Sequence, residues 1–543
     1  MRCLLAVAVA LAVCAGSVST AAGRVLRVGS DHGIRGQYGS IQAAVDAAHA
    51  GDWILIGPGD YKTNQVLTPR GKPDFPAGVL ITTPDLHIRG MNRRTVIVDG
   101  TKPGSGACSA KASAQNFGLT GRAKEDEYAV AARARASGVN GLMVYKAANV
   151  SIENLTACNF LGGSRDAGNE IWWNGGADSG KVGGHGFHGA YLTTTSTYLK
   201  NKTKAGEFSA AQYGVFSSNW SGGTWDQIYA SNFNDSGFYI GACQQVCDQT
   251  LNHGWAEYNA LGFSGSNSGG RLIVKNSEWD NNEEGFNTNS QNGDEPSPQN
   301  GACPHDRISP ITHTHSCWVF MHNYVHDNNN PNVPTAGSAA AGPVGTGVVV
   351  AGGRNDTVMD NRIVNNHAWG ALIVNYPDSG PPCTGGTKNF PLLGNGSCLY
   401  DEWGNALIGN TFTHNGGYGN PTNGDFEQLN FETHPSNCFS GNVDTSGKLS
   451  PGAVKLEQMY PVCTTTPVPP NFNIPFLSEV LCDSTINVPP FGCQPGDRYP
   501  HATHIVMHPL PKHLQTMPHP CEGVPANPWC ARRSSASPTT GLG

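Results

Sequence analysis

The chain has 543 residues, a formal net charge of −7 and only 14% charged residues. An acidic balance without a basic block excludes nucleic acid as the expected partner, and so low a charge content does not suit a disordered chain. The length is far beyond one ordinary globular core, a difficulty that a solenoid removes because its core grows along one axis.

Met1-Arg2-Cys3, an apolar run to Val13 and small residues to Ala22 read as a secretory signal peptide over 1–22, with cleavage near Ala15 or Ala22. No later stretch has the 18 uninterrupted apolar residues of a membrane span. Cys3 and Cys14 fall in the signal; the other 14 of the 16 cysteines are an even number in an exported chain, which predicts disulfides. Cys243/Cys247, Cys303/Cys317 and Cys383/Cys398 are the close pairs, and spacing alone leaves the pairing open.

Ser40 is an N-cap candidate for a helix whose Ile41, Ala44, Val45 and Ala48 share one face. Gly51-Asp52 stops it, and Trp53–Ile56 is a predicted strand. A helix so placed would cover the open end of a solenoid, which otherwise exposes apolar side chains and strand edges. Further on, Gly262–Ser290 contains one full turn of a repeat and the start of the next. Glycine-led strands begin at Gly214, Gly237, Gly262 and Gly285, spaced 23, 25 and 23 residues apart, and another at Gly370. Asn-x4-Asn recurs at Asn154/Asn159, Asn276/Asn281, Asn323/Asn328, Asn361/Asn366 and Asn410/Asn415. A period near 23 with one short strand after each Gly is the signature of stacked turns. Asparagines aligned in such a stack can bond amide to amide and satisfy a buried bend. The insertion at 101–137 carries a charged stretch that could be helical, and 163–184, 291–316 and 376–402 read as loops. From 436 onward the repeat fades into a segment rich in Pro, Cys and His.

The segments SIQAAVDAA and GDWILIGPGDY resemble the entry of right-handed parallel β-helix proteins of the pectin lyase-like superfamily. Leu86-His-Ile-Arg-Gly90, Thr95-Val-Ile-Val-Asp-Gly100 and Asn149-Val-Ser-Ile-Glu-Asn-Leu155 look like their later coils. The resemblance covers roughly 37–435. It implies an all-β, single-stranded right-handed parallel β-helix with an N-terminal capping helix and inserted loops. It does not fix the activity, since the superfamily holds lyases, hydrolases, epimerases, esterases and adhesins.

Alternation along the strands gives each side chain an address. The expected outward row is Met143, His188, Phe216, Tyr239, Ser264 and Asn287, with Tyr145, Ala190, Ser218, Gly241, Ser266 and Asn289 beside it. Such a face, with Trp172 and Trp173 folded over it from the preceding loop, suits an extended glycan. Gly184-His185-Gly186 resembles the Gly-His-Gly of pectin-type glycoside hydrolases. That family also needs Asn-Thr-Asp and Asp-Asp, where this chain has Asn287-Thr288-Asn289 and no Asp-Asp. A hydrolase lacking its paired carboxylates is therefore disfavoured. His185 and His188 remain candidate bases, as do Lys275 and Arg354 for a lyase. The acidic run of Asp280, Glu283, Glu284 and Asp294 could hold Ca²⁺, as lyases of the resembled fold often do. The sequence is thus read as a secreted, monomeric, carbohydrate-active protein acting on extracellular polysaccharide, lyase-like in chemistry. The alternative is a non-catalytic binding, adhesion or structural β-helix.

Overall fold

The structure, a computed structural model, describes residues 23–530 apart from 64, 73–74, 117–138, 163–167, 177–180, 201–209, 244–245, 294–297, 336–341, 471 and 483–491. The expected signal sequence and the charged part of the first insertion lie outside the described residues.

A coil typically contributes three short strands, the first two being fused into one in Val150–Cys158 and in Phe187–Thr195. In one coil they are Gln249–Asn252, Trp255–Glu257 and Leu261–Ser266; in the next, Leu272–Lys275, Glu278–Asp280 and Glu284–Asn289. The first two strands of every coil join a 21-stranded sheet and the third joins a 10-stranded sheet. Pairing from coil to coil is parallel, with Phe263 on Phe286, Ala256 on Trp279 and Leu251 on Val274. Parallel strands joined by connections of this kind wind right-handed, and the architecture is the right-handed parallel β-helix. Stacked strands begin at Val25 and end at Asp444.

The core is a set of like-on-like columns. Phe263 stacks on Phe286 at 4.5 Å, and Phe286 packs against Phe320 at 4.2 Å. A coil alone cannot bury these rings, so burial is gained only by stacking. Both ends are closed by helices. Ile41–Ala47, capped by Ser40 Oγ accepting from the Ala43 amide, buries Ile41, Ala44 and Val45 on the first coils. Pro451–Met459 buries Ala453 and Leu456 on the last.

Asparagine ladders run up two corners, and their register differs from the repeat read in the sequence. One passes from the Ser277 amide to Asn323, Asn361, Asn410 and Asn442, ending on Glu457 of the C-terminal helix. The other passes through Asn259, Asn282, Asn328, Asn366 and Asn415. The two asparagines of an Asn-x4-Asn pair therefore belong to different ladders. Asn276 and Asn281 belong to neither ladder, although Asn276 Nδ2 donates to Asn252 Oδ1 of the preceding coil at 2.8 Å. They sit beside the rungs Ser277 and Asn282, at positive φ of 51° and 54°, a conformation asparagine tolerates better than most residues.

Seven disulfides account for all 14 cysteines after the expected signal: Cys108–Cys158, Cys243–Cys247, Cys303–Cys317, Cys383–Cys398, Cys438–Cys463, Cys482–Cys493 and Cys521–Cys530. Among the described residues no helix is long and apolar enough to cross a membrane. The C-terminal segment is a strap that runs back down the solenoid. Asn332 Oδ1 accepts from the Thr503 amide at 2.9 Å, and Asn232 exchanges two bonds with the His508 backbone, both 2.8 Å. Asn154 Oδ1 accepts from Thr516 and Met517, and Trp529 donates to the Ile34 carbonyl of the first coil.

Candidate functional site

Applied to the first coils, the alternation of strands brings unlike side chains into register on the outside of the larger sheet. Trp53, His87, Ser151, His188 and Thr224 are successive rungs of one row. Leu55, Arg89, Glu153, Ala190 and Asp226 form the row beside it. Of these, Trp53, His87, Arg89, Ser151, Glu153 and His188 line a cleft of about 540 Å³ whose wall is completed by Asn149, Gly186, Phe187, Gly222 and Gly223. Two of these glycines are required by close approach. A Cβ on Gly186, at φ +68°, would meet Asn149 Oδ1 at 2.2 Å, and one on Gly223 would meet the Phe187 ring at 2.4 Å.

Glu153 is the centre of the cleft. Its side chain is buried; Arg89 Nε donates to Oε2 at 2.8 Å, and His188 Nε2 lies 3.5 Å from Oε1. Burial pushes the Glu153 carboxyl up, but His188 and Arg89 outweigh it and hold the group below the usual carboxylate range. His188 is half exposed and its Nδ1 lies 2.8 Å from Thr224 Oγ1. The Trp53 indole stacks on the His87 imidazole at 4.3 Å, with the Arg89 guanidinium 4.8 Å from the Trp53 ring. Burial pushes His87 below the ordinary histidine value, so it is neutral at neutral pH. The cleft thus joins a proton-transfer pair, an aromatic shelf and hydroxyl groups. Arg89 is committed elsewhere as well, since its Nη1 donates to the Pro520 and Glu522 carbonyls of the strap.

The residues singled out from the sequence are dispersed over this frame. His188 is on the larger sheet, not in the row of Phe216 and Tyr239; the rung of the smaller sheet before Phe216 is Trp172. The segment expected as a loop forms the strand Asn169–Asn174. Trp173 consequently points inward, fully buried with Nε1 bonded to the Val150 carbonyl, and cannot fold over a surface. Trp172 stacks on Phe216 at 4.7 Å and Phe216 meets Tyr239 edge-on at 4.7 Å. All three are buried in a cluster with Phe75 and Met143, so their faces are occupied by one another. Ser264 and Asn287 continue that row, with Asn289 beside it, and Asn287 donates to Glu284.

His185 is exposed next to the cleft, in a two-residue strand paired with Trp220-Ser221. Lys275 pairs with Asn252 and Met321, further along the solenoid. Arg354 is engaged with Asp401 on a later coil. The expected Ca²⁺ set does not come together as a set. Asp280 groups with Glu278 and His326 on the outside of the larger sheet, without Glu283 and Glu284, and Asp294 lies outside the described residues. A donor set containing imidazole also differs from the all-oxygen shell that Ca²⁺ takes.

The cleft residues not singled out, Trp53, His87, Arg89 and Glu153, were present in quoted coils. His87-Ile88-Arg89 and Ser151-Ile152-Glu153 alternate polar and apolar residues, and stacking them with His188 by that alternation would have assembled the cleft. A second row, Ser231, Glu257 and Asp280, with the Tyr229 hydroxyl bonded to Glu257, was equally hidden. Burial pushes Glu257 up to about 7 and Asp280 up to about 6.

No family model matches the chain, and no curated protein matches it. Solved structures do. The A-module of a mannuronan C-5 epimerase of Azotobacter vinelandii aligns at TM-score 0.44 and 15% identity, covering 75% of this chain and 94% of its own. A family 28 exopolygalacturonase of Yersinia enterocolitica aligns at 0.40 and 10%, covering 79% and 76%. An alginate lyase of a Paenibacillus species aligns at 0.35 and 9%, covering 78% and 97%.

Proposed function

We propose that the chain is an exported, monomeric, carbohydrate-active protein that binds extracellular polysaccharide in the His188 cleft and acts on it as a lyase. The observation that carries this reading is the placement of a half-exposed histidine against an ionised, buried carboxylate beside the Trp53–His87 stack. Sugar rings pack on such an aromatic shelf, and their hydroxyls find fixed polar partners in Ser151 and Thr224. In a lyase reaction on a uronate chain, His188 takes the proton beside the sugar carboxylate, the electron pair left behind forms the C=C bond of the unsaturated product, and the glycosidic C–O bond breaks with its leaving oxygen taking a proton from water. Glu153 orients the imidazole and stabilises the charge it gains. Seven disulfides support an oxidising, extracytoplasmic setting.

A second reading, binding without turnover, is favoured by one feature. Arg89, the cation lining the cleft, is already bonded to Glu153 and to the strap, which leaves less charge to neutralise a uronate. A polysaccharide panel read in parallel for unsaturated products, reducing ends and binding separates the two. For a lyase, His188→Ala abolishes unsaturated product without lowering the melting temperature. In both readings, Trp53→Ala weakens binding several-fold, about 1 kcal/mol for one lost stacking face. Including EDTA and Ca²⁺ in the panel tests the Ca²⁺ requirement proposed from the acidic run. A ligand bound equally well by parent, His188→Ala and Trp53→Ala would place the site elsewhere on the solenoid.

A further inference from the structure

On the later coils a second cluster stands apart from the cleft and involves none of its residues. Asp401 follows the strand Ser397–Tyr400 of a small antiparallel sheet, and His434 lies in a two-residue strand paired with Pro467-Val468. Asp401 Oδ2, a Glu432 carboxylate oxygen and His434 Nε2 all lie within 4.8 Å of one another. Arg354 Nη2 holds the other Asp401 oxygen, and Thr387 Oγ1 reaches both oxygens of Glu432, at 2.7 and 2.8 Å. These contacts fix two carboxylates while leaving donor atoms turned toward His434.

Two observations separate this cluster from an ordinary ion-pair network. First, His434 Nε2 is buried and makes no hydrogen bond, although it lies 2.8 Å from Asp401 Oδ2 and 3.9 Å from Glu432 Oε2. The imidazole nitrogen thus meets both carboxylates without lying in line for a hydrogen bond to either. Ligands about 2.1 Å from a tetrahedral ion are about 3.4 Å apart, between the two distances seen. Second, Glu402 is fully buried with neither carboxylate oxygen bonded to another residue, and it lies within reach of the charges of Asp401, Glu432 and Arg354. A divalent cation in that space would give the Asp401 and Glu432 carboxylates and the His434 imidazole one common partner.

We infer that Asp401, Glu432 and His434 form a binding site for a divalent transition-metal ion of the Zn²⁺ class, with the unbonded Glu402 buried beside it. One imidazole and two carboxylates suit Zn²⁺, whereas Ca²⁺ prefers oxygen alone. The ion would tie the small sheet, already closed by Cys383–Cys398, to the segment 432–435 of the last coils.

The test uses the full-length protein, stripped with a chelator, desalted and exposed to Zn²⁺ alone or Co²⁺ alone. The expected result is one tightly held Zn²⁺ per chain by elemental analysis, a raised melting temperature, and a d–d absorption band with Co²⁺. His434→Ala and Glu432→Gln should each lose the bound ion and the band, while His326→Ala, in the other acidic group, keeps both. The Co²⁺ band of the parent reads the site directly, so a variant that fails to fold leaves the test intact. A parent that holds no Zn²⁺ and shows no Co²⁺ band overturns the inference. So does a metal content unchanged in both variants, or one lost only with His326→Ala.

Discussion

Asn328→Leu tests whether the ladders hold the coils together. Asn328 is fully buried at the bend before the smaller sheet. Its Oδ1 accepts from the Asn282 side chain at 3.0 Å and from the Asn282 amide at 3.4 Å; its Nδ2 donates to Asn366 Oδ1 at 3.1 Å and to the Trp279 carbonyl at 3.0 Å. Leucine has similar bulk but no polar atom. The Asn282 side chain keeps its bond to the Ala256 carbonyl, and Asn366 Oδ1 keeps the residue-328 amide. The Asn282 amide and the Trp279 carbonyl are left without these partners. At about 1–3 kcal/mol for each buried group left unsatisfied, the loss is about 2–6 kcal/mol. Asn281→Leu removes one bond from a partly exposed side chain and puts leucine at positive φ, which costs about 1–2 kcal/mol. Urea unfolding followed by tryptophan fluorescence measures both, with the slope checked for constancy. If Asn328→Leu costs no more than Asn281→Leu, the ladder is not what holds this corner.

Three further outcomes follow from the same geometry. Mass spectrometry of the unreduced protein should find no free thiol among the 14 cysteines outside residues 1–22. Asn232→Ala removes one of the two bonds to the His508 backbone outright and the acceptor of the other, so limited proteolysis should cut the strap between 499 and 520 several-fold faster while the solenoid stays intact; equal rates would mean the strap is held elsewhere. Glu257 binds its proton more tightly when folded, at about 7 against an ordinary 4.5, because burial disfavours its charge despite the Tyr229 hydroxyl at 2.7 Å. Its contribution is therefore fully present below 4.5 and lost as the pH rises through 7. Glu257→Gln should flatten that fall in stability, and a variant as pH-sensitive as the parent there would refute the assignment.

What was legible in the sequence is what stacking dictates. Gly262 and Gly285, 23 residues apart, give the coil length, because Phe263 and Phe286 must lie one above the other to be buried. Ser40 and the face of Ile41, Ala44 and Val45 give the capping helix, because an uncapped end leaves apolar groups in water. Less legible was everything set by a shift of one residue or by contacts between distant segments. Asn281 and Asn282 are adjacent and identical, and only the corner geometry decides that the second is a rung while the first takes positive φ. A Gly-Phe-His pattern at 186–188 looks like the Gly-Val-Phe of 214–216, yet one opens a strand of the larger sheet and the other of the smaller. The intervening loops vary in length, so the count from one glycine to the next does not say which corner has been turned. Carrying His188 to the wrong sheet separated it from Glu153 and joined it to Phe216. The same ambiguity explains why the strap was unreadable: its partners Asn154, Asn232 and Asn332 look in sequence like any other loop asparagine. Their side-chain oxygens accept from the strap, where those of the ladder asparagines accept from the neighbouring rung.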